Sequence, residues 1–213
     1  MRTVVLSGWG QPHDALAQVW PEAHHLDYAH AANPHEVFRM LATHQPELVV
    51  GWSLGGQLAV RAVAESFITP QALVLIAAPY RFAAPERFEQ NFIQHPLRTL
   101  RKAWALIHYG DAKTEHIEHT LAGFSHDDVL ERDWLRWLRI LSQYNADELS
   151  LSYMPRTLMI QGDSDKVVEP AQTAQWQAKL ADATLHAWEQ CGHAPHFHDA
   201  ARLRAQVQAF LDV

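Results

Sequence analysis

The sequence predicts an α/β fold: a mostly parallel, doubly wound sheet interrupted by an all-helical insert. Three observations predict it. Apolar runs of strand length, most of them rich in Val, Ile or Leu, alternate with stretches of helical length. The alternation stops between about residues 79 and 149, where helical patterns follow one another with no strand between them. At one strand-to-helix junction lies Gly51-Trp52-Ser53-Leu54-Gly55, directly after Leu48-Val49-Val50.

Taken in order, residues 3–6, 48–51, 72–77, 157–160 and 184–188 read as strands, and 24–28 as one more short strand. Residues 35–44, 54–66, 171–180 and 200–211 carry apolar side chains at three- and four-residue spacing, as a helix packed on a sheet requires. Pro34, Pro70 and Pro170 fall at element edges, where a fixed φ and a missing donor do no harm. Within the break, residues 87–109, 116–121 and 130–144 read as helices. The expected organisation is one domain, with 1–79 and 150–213 as the core and 80–149 as a helical cap. A length of 213 residues agrees, because single cores grow to roughly 250 residues before chains split.

Composition narrows the function classes. Hydrophobic residues are 48% of the chain and charged residues 19%, the balance of a soluble globule. A net charge of -7 gives no overall reason to bind nucleic acid, whose affinity rests on Lys and Arg contacts to phosphate. The single cysteine, Cys191, forms no internal disulfide, which fits a reducing cytoplasm. No apolar run is long enough for a signal-peptide core or a membrane span, so neither is expected. A monomer is the favoured state. His116 and His119, or His193 and His196, share helical spacing but have no third ligand, so neither a metal nor any other cofactor is expected.

Gly51-Trp52-Ser53-Leu54-Gly55 matches G-x-S-x-G in its strand-turn-helix setting. The glycines have a steric reason: on so tight a turn, side chains two residues either side of the serine would strike the neighbouring strand and helix. Ser53 is thereby raised above the sheet as a candidate nucleophile. Further on, Gln161-Gly162-Asp163-Ser164-Asp165-Lys166-Val167-Val168 follows a strand, and Cys191-Gly192-His193-Ala194-Pro195-His196 follows the next. Sites in α/β sheets form at such carboxyl ends.

Ser7-Gly8-Trp9-Gly10, Gly51-Trp52-Ser53-Leu54-Gly55-Gly56 and Gly192-His193-Ala194-Pro195 together resemble the α/β-hydrolases, and among them the BioH-like pimeloyl-acyl-carrier-protein methyl ester esterases of biotin synthesis. The resemblance covers residues 2–79 and 152–213; the cap matches only in being helical. It implies an α/β-hydrolase fold and a triad in the chain order Ser, Asp, His. Gly162, Asp165 and Val168 match the family's G-x-x-D-x-x-V, which implies Asp165 as the orienting acid. Asp163 is the runner-up and otherwise a turn residue. The G-H loop implies His193 as the base, with His196 and His198 as bystanders. The oxyanion donors implied are the backbone N–H groups of Leu54 and of Trp9, whose loop carries Ser7 where many relatives have His.

An acyl-enzyme route on a small acyl ester follows, without a cofactor. Trp9, Trp52, Trp134 and Trp137, with Trp104, are candidates for an apolar acyl channel, or for core packing. Arg98, Arg101 and Lys102 on one helix, and Arg132, Arg136 and Arg139 on another, form two basic faces that would dock an acidic acyl carrier protein, or be a solvated cap surface. A general short-chain carboxylesterase, an acyltransferase and a carbon-carbon bond hydrolase share this fold and triad. A non-catalytic ligand-binding module is the remaining alternative.

Overall fold

The computed structural model describes residues 1–84, 86–109 and 133–212. Six strands form one all-parallel sheet: β1 (Thr3–Leu6), β2 (His24–His25), β3 (Leu48–Trp52), β4 (Ala72–Ile76), β5 (Arg156–Gly162) and β6 (Ala183–Trp188), in the spatial order β2-β1-β3-β4-β5-β6. The central strands are apolar throughout because both faces are covered. Val4, Val49 and Leu73 point into one hydrophobic cluster, whereas Val5, Val50 and Val74 point into the other. In-register pairs such as Val4 with Val49 and Val49 with Leu73 keep each face continuous across the strands.

On the first face pack α1 (Pro34–Thr43), through Val37, Phe38 and Leu41, and α2 (Leu54–Ala64). Helix α8 (Ala200–Leu211) covers the other through Leu203 and Val207. Asn33 caps α1, its carboxamide oxygen accepting the Glu36 N–H at 3.1 Å, and Pro34 opens the helix where no donor is needed. The chain leaves β1 for β2 on one side and returns to β3 on the other. The crevice between the carboxyl ends of β1 and β3 is therefore where a ligand is expected.

Between β4 and β5 the described residues hold α3 (Glu86–Gln94), α4 (Pro96–Ile107), α5 (Trp134–Ser142) and a 3₁₀ turn at Ala146–Glu148, with only an isolated bridge from Arg81 to Asn145. The single helix expected over 87–109 is two. Pro96 supplies no N–H and disfavours helical backbone in the residue before it, so His95 lies at φ -143° and the chain restarts. The helix expected over 130–144 begins at Trp134, capped by Asp133. The helix expected over 116–121 lies outside the described residues, as does Arg132.

Indole N–H groups pin these helices to the sheet's loops. Trp104 donates to Gly10 O at 3.0 Å, Trp137 to Ala29 O at 3.1 Å, and Trp9, from the loop after β1, to Trp134 O at 2.7 Å. Each bond satisfies a donor that burial would otherwise strand. The remaining helices among the described residues are α6 (Gln172–Lys179) and the single turn α7 (Pro195–His198). No helix among the described residues is long and apolar enough to cross a membrane.

Candidate active site

Ser53 sits between β3 and α2 with φ +53° and ψ -118°, in a region that a residue with a side chain seldom occupies. Two neighbours make this turn buildable. A Cβ on Gly51 would meet Gly56 Cα at 2.5 Å, and one on Gly55 would run into the Leu6 carbonyl. Gly55→Ala is accordingly expected to cost about 3 kcal/mol or more, since neither backbone contact can move aside. Urea denaturation would measure it, and an unchanged midpoint would refute the steric account.

The loop after β1 approaches the same point. A Cβ on Gly8 would lie 3.4 Å from Ser53 Cβ, so the Gly8-Trp9 backbone passes beside the serine. The Tyr28 hydroxyl donates to Ser7 O at 2.7 Å and holds that loop. Tyr28 is buried, which raises its pKa and keeps the hydroxyl a donor. Leu54 is the first residue of α2, so its N–H belongs to the group that a helix leaves without an intrahelical partner.

Asp165 and His193 come together although 28 residues separate them. His193 Nδ1 lies 2.8 Å from Asp165 Oδ2, with both side chains buried. Gln161 Nε2 donates to that oxygen at 2.7 Å, while the N–H groups of Val167 and Val168 donate to Oδ1 at 2.8 and 3.0 Å. Burial works against the charged carboxylate. His193 and the two backbone N–H groups outweigh it and hold the Asp165 pKa below the usual carboxylate range. An ionised carboxylate only accepts, so Nδ1 carries the imidazole proton and Nε2 is left as the acceptor.

Ser53 and His193 share the wall of a cavity of about 310 Å³ with Trp9, Phe82, Phe88, Leu106, Ile107, Leu138, Leu141 and Val167. Lys166 is the one charged residue on that wall among the described residues. The space suits an apolar chain with one polar centre at its base. Among the described residues no group of three or more His, Cys, Asp or Glu side chains could hold a metal ion.

Against this geometry come the comparisons. Residues 3–206 match the family model described as "Alpha/beta hydrolase family". This chain belongs to the alpha/beta hydrolase family. Within that family it is 27% identical over 237 residues to the pimeloyl-acyl-carrier-protein methyl ester esterase of Chromobacterium violaceum, covering 95% of this chain and 92% of the relative. It is 22% identical to the biotin biosynthesis bifunctional protein BioHC of Cellvibrio japonicus, over 78% of this chain, and spans only 35% of that longer relative. Among solved structures, an esterase from Exiguobacterium antarcticum superposes with a TM-score of 0.84 at 12% identity, over 100% of this chain and 92% of that one, a likeness of fold.

The alpha/beta hydrolase frame leaves several expected side chains elsewhere. Of the tryptophans expected to line a channel, only Trp9 does. Trp52, Trp134 and Trp137 are fully buried, and Trp104 is tied to Gly10. Trp52 faces the other side of the sheet and donates to His193 O at 2.8 Å. Asp163 takes a turn role, its N–H on Trp188 O and its carboxylate on the Ser164 hydroxyl. Arg98, Arg101 and Lys102 are exposed on α4 and form no ion pair among the described residues. Arg136 instead pairs with Asp133 and reaches Ala31 O, and Arg139 pairs with Glu89 at 2.7 Å.

Residues missed from sequence are Gln161, Lys166 and the wall from Phe82, Phe88, Leu106, Leu138 and Leu141. Gln161 had a signal, since a polar side chain ending a buried strand needs a partner. The wall residues had none beyond helical spacing.

Proposed function

We propose that this protein is a serine carboxylesterase in which Ser53 is the nucleophile, His193 the general base and Asp165 the acid that orients it. We further propose that its ester is the methyl ester of a pimeloyl chain carried by acyl carrier protein. The observation that carries the first part is the buried Nδ1 to Oδ2 bond of 2.8 Å, joined to Ser53 at one apolar cavity. Support for the second comes from relatives named for that substrate and from the exposed cations of α4.

The ester carbonyl would rest beside Ser53 with its acyl chain along Phe82, Phe88 and Leu138. As Ser53 Oγ attacks, Nε2 of His193 takes its proton, and Asp165 stabilises the imidazolium that forms. The backbone N–H groups of Leu54 and Trp9 would receive the oxyanion. His193 then returns the proton to the departing alkoxide, which leaves as alcohol with the acyl group on Ser53. Water, deprotonated by the same imidazole, releases the acid and restores the serine. Lys166 at the wall suits an acyl chain joined to an anionic group.

The test compares pimeloyl-carrier-protein methyl ester with a short p-nitrophenyl ester. Replacing Arg98 and Arg101 by Glu is expected to lower the ratio of the two kcat/KM values at least tenfold at low salt, about 1.4 kcal/mol, and less in high salt. A ratio that does not move would retire the carrier, and hydrolysis of only the short ester would leave a general short-chain carboxylesterase.

A further inference from the structure

His196 lies three residues beyond the base, in α7, and is 0% exposed. Among the described residues neither ring nitrogen has a hydrogen-bond partner. Its ring stands edge-on to Trp52 at 4.3 Å between centroids and 4.4 Å from Phe197. Trp52, itself fully buried, uses its one donor on the His193 carbonyl, while the His193 N–H bonds to Ile107 O at 3.2 Å. The backbone of the base is thus held from both sides, and His196 forms a wall of the slot that holds one of the two clamps.

A phenylalanine would fill that slot without stranding two polar atoms, so stability alone does not account for an imidazole. We propose that His196 is a positioning residue for His193 and an acid-sensitive latch: neutral, it wedges Trp52 against the His193 carbonyl, and protonated, it releases that clamp and switches the site off. The proposal rests on the assignment of His193 as the base.

Among the described residues, the titratable groups that face the imidazole are His108, at the end of α4, and His193 in its own loop; Trp52 from β3 and Gln18, whose amide holds His196 O, bring no charge. Among the described residues no carboxylate is there to accept an imidazolium. Burial first, then His108 and His193, hold the His196 pKa well below its ordinary value. A depressed histidine pKa means that the opened state binds more protons than the closed one. The closed state is therefore fully favoured above about pH 6.5 and loses up to tenfold per pH unit below it, until the closed-state pKa is reached. Loss of the clamp therefore adds to whatever acid loss the site shows without His196.

The experiment is a pH profile of kcat/KM on a p-nitrophenyl ester for wild type, His196→Phe and His196→Gln, with tryptophan emission followed over the same range in a Ser53→Ala background. Wild type is expected to fall more steeply on the acid side than either variant. The wild-type drop between pH 7.5 and 5 is expected to exceed that of His196→Phe by up to about thirtyfold. An acid emission step present with His196 and absent in His196→Phe supports the latch. Acid-side profiles that coincide in all three proteins, or an emission step that survives His196→Phe, would overturn it. If wild type cleaves no ester, the esterase reading fails, and the emission step still decides the latch.

Discussion

Ser53→Ala is expected to lower kcat for ester hydrolysis by about 10⁶-fold, because an enzyme whose triad acts as one unit loses nearly all chemistry when the nucleophile goes. The substitution removes one oxygen and keeps Cβ, so the packing of the Ser53 side chain beside the Gly8 backbone changes little. Alanine tolerates φ +53° no better than serine, and the bond from the Ser53 N–H to Ile76 O at 2.9 Å does not involve the side chain. The thermal midpoint should therefore stay within a few degrees of wild type while activity disappears. Stopped-time assays on a p-nitrophenyl ester, with calorimetry on the same samples, separate the two effects. Retained activity would move the nucleophile elsewhere.

Asp165→Asn is expected to cost about 10⁴-fold in kcat. Four donors converge on this carboxylate: Gln161 Nε2 and His193 Nδ1 on one oxygen, and the Val167 and Val168 N–H groups on the other. An amide offers one oxygen and one NH₂. Whichever way it sits, its NH₂ faces donors: either the two backbone N–H groups, or Gln161 and an imidazole forced to turn its acceptor inward. The second arrangement moves the proton to Nε2, where it faces the serine and blocks its deprotonation.

The same substitution has a stability signature. The Asp165 pKa is depressed in the folded protein, so its ionisation stabilises the fold fully above about pH 3.9 and ceases to do so as pH falls through the folded value. The difference in thermal midpoint between wild type and Asp165→Asn should be largest at neutral pH and shrink below pH 4. A difference that grows in acid would contradict the sign of this account.

Much of the core was legible because few alternatives compete there. A run such as Leu48-Val49-Val50 followed by two glycines around a serine allows one local structure, and β1 and α8 have the bounds expected of them. The two loops that bring Asp165 and His193 together follow successive strands, which lie side by side in the sheet, but Asp165 was singled out from Asp163 only by the family resemblance. The tryptophans were harder. An indole lining a channel and an indole pinning a helix to a loop have the same sequence signature, and only the carbonyls of Gly10, Ala29 and His193 distinguish them.

The helix break at His95 was written in Pro96, but the periodicity on either side concealed it. His196 was unreadable for another reason. Its burial comes from Trp52 and Phe197 meeting on the face of the sheet away from α2, and no local pattern announces that an imidazole will be left without a partner.

The central claim is a covalent acyl group on Ser53, and mass spectrometry of protein quenched during turnover of a p-nitrophenyl ester tests it most directly. The account predicts an adduct of acyl mass on the peptide containing Ser53, formed within the first turnover and absent from Ser53→Ala. Turnover with no adduct at any quench time from the first turnover onward, or an adduct on another residue, would contradict it.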